Sequence, residues 1–222
     1  DRFRADMRID EGQEWDRFAG LGMESHTLRA FLDEVPFAAR YPRRHAAERI
    51  AVPTVLPVPP RAQSTQDGFG LILNDIARSD DEIASRIVTT SPDVAVSTNL
   101  GPWVNRRGIF HRRETGDTFA DENVVSAQKW SMSPDGQHVE LGIAEHNLFL
   151  MLSALGLSGP MFGARLLPIG TLYDPFIRRG LDALHYACYQ DARFMLVATP
   201  SGITLAPEGG AVFSVFGFAP FH

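Results

Sequence analysis

Residues 164–202, ARLLPIGTLYDPFIRRGLDALHYACYQDARFMLVATPSG, set a helix-forming stretch between two short apolar runs. ARLLPIGT and RFMLVATPSG read as buried strands, each ending in small or turn-forming residues. Between them, DPFIRRGLDALHYACYQ reads as a helix with Asp174 as its cap and Pro175 at the first helical position. A strand, a helix and a second strand joined by short links fold as a right-handed crossover, which makes the two strands parallel. That predicts an α/β layer with a mainly parallel sheet. Ligands in such sheets sit at the carboxyl ends of the strands, so Asp93, Thr171, Thr199, Pro200 and Ser201 become candidates for the rim of a site.

The remainder of the chain divides by composition. Residues 1 to about 50 are polar, with a helix expected at SHTLRAFLDEV, capped by Ser25 and striped by Leu28, Phe31 and Leu32. AVPTVLPVPP then carries Pro53, Pro57, Pro59 and Pro60. A run so rich in proline cannot enter a helix or a central strand, so it reads as an extended connector. The expected organisation is therefore an irregular, partly helical connector over 1–62, a domain over 63–211 and an atypical apolar tail over 212–222. Within the domain, STQDGFGLILNDIAR opens with Ser64 as a cap before an amphipathic helix. RIVTTSPDVAVST holds two short β-branched runs either side of Ser91-Pro92, and GIAEHNLFLMLSALGL is a helix ending near Gly159-Pro160.

Composition narrows the function classes. With 222 residues, 44% hydrophobic and 22% charged, the chain can bury a sizeable core. A net charge of -6 argues against binding that depends on neutralising nucleic-acid phosphates. A single cysteine, Cys188, permits no internal disulfide, which fits a cytoplasmic protein, and it is expected to pack in the core. No uncharged apolar run reaches the roughly 18 residues of a membrane span. The chain starts at Asp1 with no signal-peptide pattern, as a piece of a longer protein would.

ELGIAEHNLFLMLSALGL carries the most chemistry, with Glu140, Glu145 and His146 at the head of an apolar helix. Acidic residues suit helix starts, where unpaired N–H groups and the macrodipole are positive, so the residues alone favour a structural role. A metal site built from His138, Glu140, Glu145 and His146 is not expected, because residue 142 is glycine where His-x-x-Glu-His would need histidine. NRRGIFHRR, with four arginines and a histidine, reads as a solvated loop. Glycine-rich phosphate loops and the G-x-S-x-G elbow are both absent.

GIAEHN also resembles the glutamate motif of the pyrimidine-binding domain in transketolase-like thiamine diphosphate enzymes. The longer stretches SRIVTTSPDVAVSTNLGPWVNRRGIF, GQHVELGIAEHNLFLMLSALGL and LLPIGTLYDPFIRRGLDALHYACYQDARFMLVATPSGITLAPEGG resemble the homodimeric type of the pyruvate dehydrogenase decarboxylating component. The likeness runs from about residue 64 to 211, and more loosely back through WDRFAGL and VPFAAR. It implies that Glu145 hydrogen-bonds a ring nitrogen of the cofactor's aminopyrimidine and so promotes loss of the thiazolium proton. It further implies that Asp93 lies near the cofactor and that Leu172, Tyr173 and Phe176 wall the aminopyrimidine, whereas His146 has no chemical role.

The implied substrate is a 2-oxoacid, pyruvate above all, in a homo-oligomeric parent enzyme. Magnesium and the diphosphate would be held by a Gly-Asp-Gly…Asn motif on a separate domain of a partner chain, and that motif is absent here. The resemblance stops at Ala211, where VFSVFGFAPFH replaces the family's histidine-containing stretch. The rival expectations are a catalytically inactive binding or assembly module, or a portion of a transketolase-type enzyme.

Overall fold

The computed structural model describes residues 2–15, 18–35, 47–56, 61–115 and 129–201. Pro57, Pro59, Pro60, most of VPFAAR and the 212–222 tail lie outside the described residues.

Helices α1 (Arg2–Asp6) and α2 (Ser25–Glu34) belong to the N-terminal segment. Ser25 is the first helical residue of α2, not its cap. The capping position falls to Glu24, which makes no side-chain bond there. The Phe31 and Leu32 stripe is exposed, and α2 buries none of its residues.

From Ser64 onward the chain forms alternating layers. Ser64 caps α3 (Thr65–Arg78) as expected, its hydroxyl oxygen accepting the Asp67 N–H at 3.0 Å. Then follow α4 (Glu82–Arg86), β1 (Ile87–Ser91), α5 (Gly101–Arg107), β2 (Ile109–Phe110), β3 (Met132–Ser133) and β4 (His138–Glu140). They lead to α6 (Glu145–Gly156), α7 (Ser158–Phe162), β5 (Leu167–Leu172), a 3-10 helix (Asp174–Gly180), α8 (Leu181–Tyr189) and β6 (Met195–Ala198). The six strands form one sheet in the order β3-β2-β4-β1-β5-β6, and every pairing is parallel. The expected α/β fold with a parallel sheet is what the chain adopts.

Two cores flank the sheet and make it the middle of three layers. On one face, Leu73, Ile76 and Ala77 of α3, Ile83 and Ala84 of α4, and Trp103 and Val104 of α5 pack with Ile87 and Ile169. On the other, Leu148, Phe149 and Leu152 of α6 pack with Leu172 and with Ala183 of α8. Each large apolar side chain so buried stabilises the fold by about 1.5–3 kcal/mol.

Several local expectations are corrected. The second β-branched run is no strand. Thr98 N–H returns to the Val94 carbonyl at 3.0 Å and Leu100 N–H to the Ala95 carbonyl at 2.8 Å, winding a turn into α5. The Thr98 hydroxyl also donates to the Val94 carbonyl at 2.7 Å, a local bond that competes with pairing in a sheet. Helix α6 stops at Gly156, ahead of Gly159-Pro160, and Arg193 packs so closely there that a Cβ on residue 156 would lie 2.7 Å from its nitrogen. Pro160 falls in the first turn of α7, where its missing N–H has no partner to lose.

Asp174 does not cap either. It opens the 3-10 helix, and the α-helix starts at Leu181. Cys188 is exposed, because α8 buries the Ala183 and Ala187 stripe and Cys188 falls one residue off it. NRRGIFHRR is only partly a solvated loop: it begins in α5, where Arg107 lies 5.9 Å over the Trp103 ring and donates to the Ser79 carbonyl at 2.9 Å. No described helix is long and apolar enough to cross a membrane.

Candidate functional site

All six strands being parallel, their carboxyl ends share one edge. Strand β1 leaves through α5, which packs with α3 on one face, whereas its neighbour β4 leaves through α6 on the other. Adjacent strands whose connections diverge to opposite faces open a crevice at their carboxyl ends. The candidate residues gather around that crevice.

Parallel pairing sets Thr89 beside His138 and Ser91 beside Glu140. The fully buried His138 ring makes a 2.9 Å contact from Nδ1 to the Thr89 hydroxyl and a 3.4 Å contact from Nε2 to Glu140 Oε2. The arrangement is self-consistent when Nε2–H donates to Glu140 and Nδ1 accepts from Thr89. Glu140 Oε1 accepts three main-chain N–H groups, from Asp93 at 2.8 Å, Leu141 at 3.0 Å and Gly142 at 3.2 Å. Burial alone would raise its pKa. Hydrogen bonding from His138 and from the Asp93 and Gly142 amides outweighs burial and holds the carboxyl below its ordinary value. Asp93 and Gly142 both adopt positive φ, 62° and 64°, so the loops leaving β1 and β4 curl onto one carboxylate.

Glu145 follows five residues after Glu140. It begins α6, where an acidic residue suits the first turn, but it is only 6% exposed, deeper than a helix-start role requires. Its Oε1 accepts a 2.5 Å hydrogen bond from Nη1 of Arg179, whose side chain is 52% exposed. The Arg179 guanidinium sits 4.2 Å from the centre of the Phe176 ring, and Tyr173 lies parallel to Phe176 with centroids 6.0 Å apart. Gly180 permits this approach: a Cβ there would collide with the Phe149 ring of α6 and come within 3.2 Å of the Glu145 carbonyl oxygen.

Glu145, Tyr173 and Phe176 are thus drawn together around Arg179. Asp93 is joined instead to Glu140 through its amide, with its side chain exposed. Leu172 is fully buried in the core beneath α6, and His146 is exposed. Thr171 is buried and shares a 2.9 Å hydrogen bond with Thr98, whereas Thr199 donates to Gln66 at 2.6 Å.

Arg179, Glu140 and His138 were not expected at the site in these roles. His138 and Glu140 share a strand face by their spacing of two, which was a readable signal. The Arg179 contact spans 34 residues and left only a faint one, the Phe176–Arg179 spacing.

Among the described residues, no group of three or more His, Cys, Asp or Glu side chains could hold a metal ion. A large apolar groove of about 840 Å³ lies at the opposite edge, lined by Ile87, Leu167 and Met195 at the amino ends of their strands. It contains none of the site residues, so volume and chemistry point to different ends of the sheet. The chemistry is the better guide, because a buried carboxylate with a cation beside it needs a reason that an apolar groove does not.

No protein-family model matches the chain. Over 132 residues, 59% of its length, the chain is 33% identical to the pyruvate dehydrogenase E1 component of Mycolicibacterium smegmatis. The match spans only 14% of that protein, so the chain is similar to a segment of a pyruvate dehydrogenase E1 component.

Proposed function

We propose that this chain is the pyrimidine-binding portion, over residues 63–211, of a thiamine diphosphate-dependent 2-oxoacid dehydrogenase decarboxylating component, with pyruvate as substrate. The observation that carries this reading is Glu145: a nearly buried carboxylate at the mouth of α6, on the strand edge where α/β sheets bind ligands, beside two parallel aromatic rings. Likeness to a pyruvate dehydrogenase E1 component supports it.

The residues present fit one half of that cofactor. Glu145 Oε2 has no hydrogen-bond partner among the described residues and is suited to sharing a proton with a ring nitrogen of the aminopyrimidine. Tyr173 and Phe176 offer apolar surface to a flat heterocycle and keep water from the carboxylate, while Asp93 follows the end of β1 and the buried Leu172 ends β5. The Glu140 anchor keeps the loops after β1 and β4 in place, which fixes where α6 begins. Thiamine diphosphate, when bound, supplies the nucleophilic carbon and the electron sink for cleaving a 2-oxoacid. Magnesium and the diphosphate fall to a domain of a partner chain, in a cytoplasmic homo-oligomer.

The test is reconstitution of this chain with a separately produced diphosphate-binding domain of a homodimeric pyruvate dehydrogenase. Pyruvate-dependent release of carbon dioxide is expected, and Glu145→Gln should lower it by about 10²–10⁴-fold, the usual contribution of a general acid-base group. Stable assembly with no activity, unaltered by Glu145→Gln, would favour the inactive assembly module.

A further inference from the structure

We propose that Arg179 is a positioning residue for Glu145, holding one carboxylate oxygen so that the other is presented to the aminopyrimidine; the inference rests on the role given to Glu145 above. The contact engages one oxygen only. Nη1 takes Oε1 at 2.5 Å, and Oε2 keeps no partner among the described residues. A bidentate fork would have engaged both oxygens and left Oε2 less open to a ligand.

The guanidinium is itself held. It packs 4.2 Å from the centre of the Phe176 ring, and Phe176 leans on the core formed by Leu148, Phe149 and Leu172. Without Arg179, the Glu145 side chain would have no hydrogen bond among the described residues. Its carboxylate would then sample several rotamers, and a ligand would have to immobilise it on binding. With Arg179 in place that ordering is already present in the free protein. An ordinary exposed ion pair contributes little because water screens both charges. Here the Glu145 side chain is 7% exposed, so the geometry is enforced on a largely desolvated group. Lysine could supply the charge, but not the planar group that stacks on Phe176 while donating sideways to Glu145.

The full 222-residue chain tests this in two measurements, with Arg179→Met, Arg179→Lys and Glu145→Gln as variants. Side-chain NMR couplings report the Glu145 rotamers directly. A single rotamer is expected in the parent chain and averaging in Arg179→Met. Ligand-observed NMR then gives the affinity for 4-amino-5-hydroxymethyl-2-methylpyrimidine, the isolated ring of the cofactor. Arg179→Met should weaken binding by about two- to tenfold, the effect of disordering one side chain, and Arg179→Lys should recover only part of it. An unchanged Glu145 rotamer distribution, or equal or tighter binding by Arg179→Met, overturns the proposal. Binding that ignores Glu145→Gln, or is absent from the parent chain, overturns the role of Glu145 instead. The rotamer measurement then decides alone whether Arg179 orders that carboxylate.

Discussion

Glu140 Oε1 accepts the main-chain N–H of Asp93 at 2.8 Å, so a side chain at the end of β4 fixes the loop that leaves β1. The same oxygen takes the amides of Leu141 and Gly142. Truncation to alanine would leave three N–H groups seeking water at a half-buried strand edge, where each buried unsatisfied donor costs about 1–3 kcal/mol. Because water reaches part of this edge, Glu140→Ala should destabilise the chain by about 2–3 kcal/mol, and Glu140→Gln by less, since the amide oxygen still accepts. Urea denaturation measures both. A loss under about 0.5 kcal/mol for alanine would mean the loops are held by something else.

Acid should act through the same carboxylate. The folded pKa of Glu140 lies below its ordinary value of 4.5, so the folded chain binds this proton less readily than the unfolded chain. The stability it contributes is therefore fully present above 4.5 and is lost as pH falls below that value through the folded pKa. Glu140→Gln should flatten this part of the acid limb in urea midpoints taken from about pH 6 down to about pH 3. Some slope should remain, because hydrogen bonds from Ser64 and Asn99 lower the Asp67 carboxyl as well. An acid limb identical to that of the parent would refute the assignment to Glu140.

What could be read in advance was local. The Ser64 cap needs only residues three apart, and the apolar runs at β5 and β6 declare strands without any tertiary information. Only β5 is buried, however: β6 lies at the sheet edge, with Met195 exposed and its other three residues half-buried. Glu145 could be singled out as a charge on an apolar helix, but the residues alone favour a helix-start role, and its position at the crevice needs the strand order of the fold. Tertiary contacts decided the rest. Val94 and Val96 favour strands by propensity, yet the Thr98 hydroxyl and the burial of Leu100 wind that segment into a turn. By itself the sequence assigns Arg179 no distinct role; Gly180 brings its segment against Phe149, a contact 31 residues apart that no local pattern announces.

That glycine gives a third expectation. Gly180 has φ -130°, so alanine meets no backbone strain, and loss of unfolded-state entropy would favour it by about 0.4–1 kcal/mol. Its Cβ would nevertheless strike the Phe149 ring in the core, and overpacking of that kind costs about 1–3 kcal/mol. The steric effect should win, leaving Gly180→Ala destabilised by about 1–2 kcal/mol net. A double-mutant cycle with Phe149→Leu identifies the cause, because a smaller neighbour should relieve part of the loss. Additive effects would show that the methyl group is absorbed elsewhere.

The last expectation concerns the cofactor itself. The related segment makes up 14% of a pyruvate dehydrogenase E1 component, and in the proposed reading the residues at the crevice address the aminopyrimidine alone. The diphosphate carries most of the charge of thiamine diphosphate. Magnesium that neutralises such groups is held through one or two carboxylates together with the phosphates. In the proposed reading those carboxylates belong to the partner domain, since no Gly-Asp-Gly motif occurs in this sequence. With those contacts missing, the remaining ring contacts have to offset the whole loss of translational and rotational freedom, about 4–15 kcal/mol. Titration of the isolated chain with thiamine diphosphate and magnesium in a calorimeter should therefore give no saturable heat at micromolar concentration, while the bare aminopyrimidine ring binds only weakly. Adding the diphosphate-binding domain should convert this to saturable binding that Glu145→Gln weakens. Micromolar binding by the isolated chain would place a second half of the cofactor site within these 222 residues and remove the need for a partner.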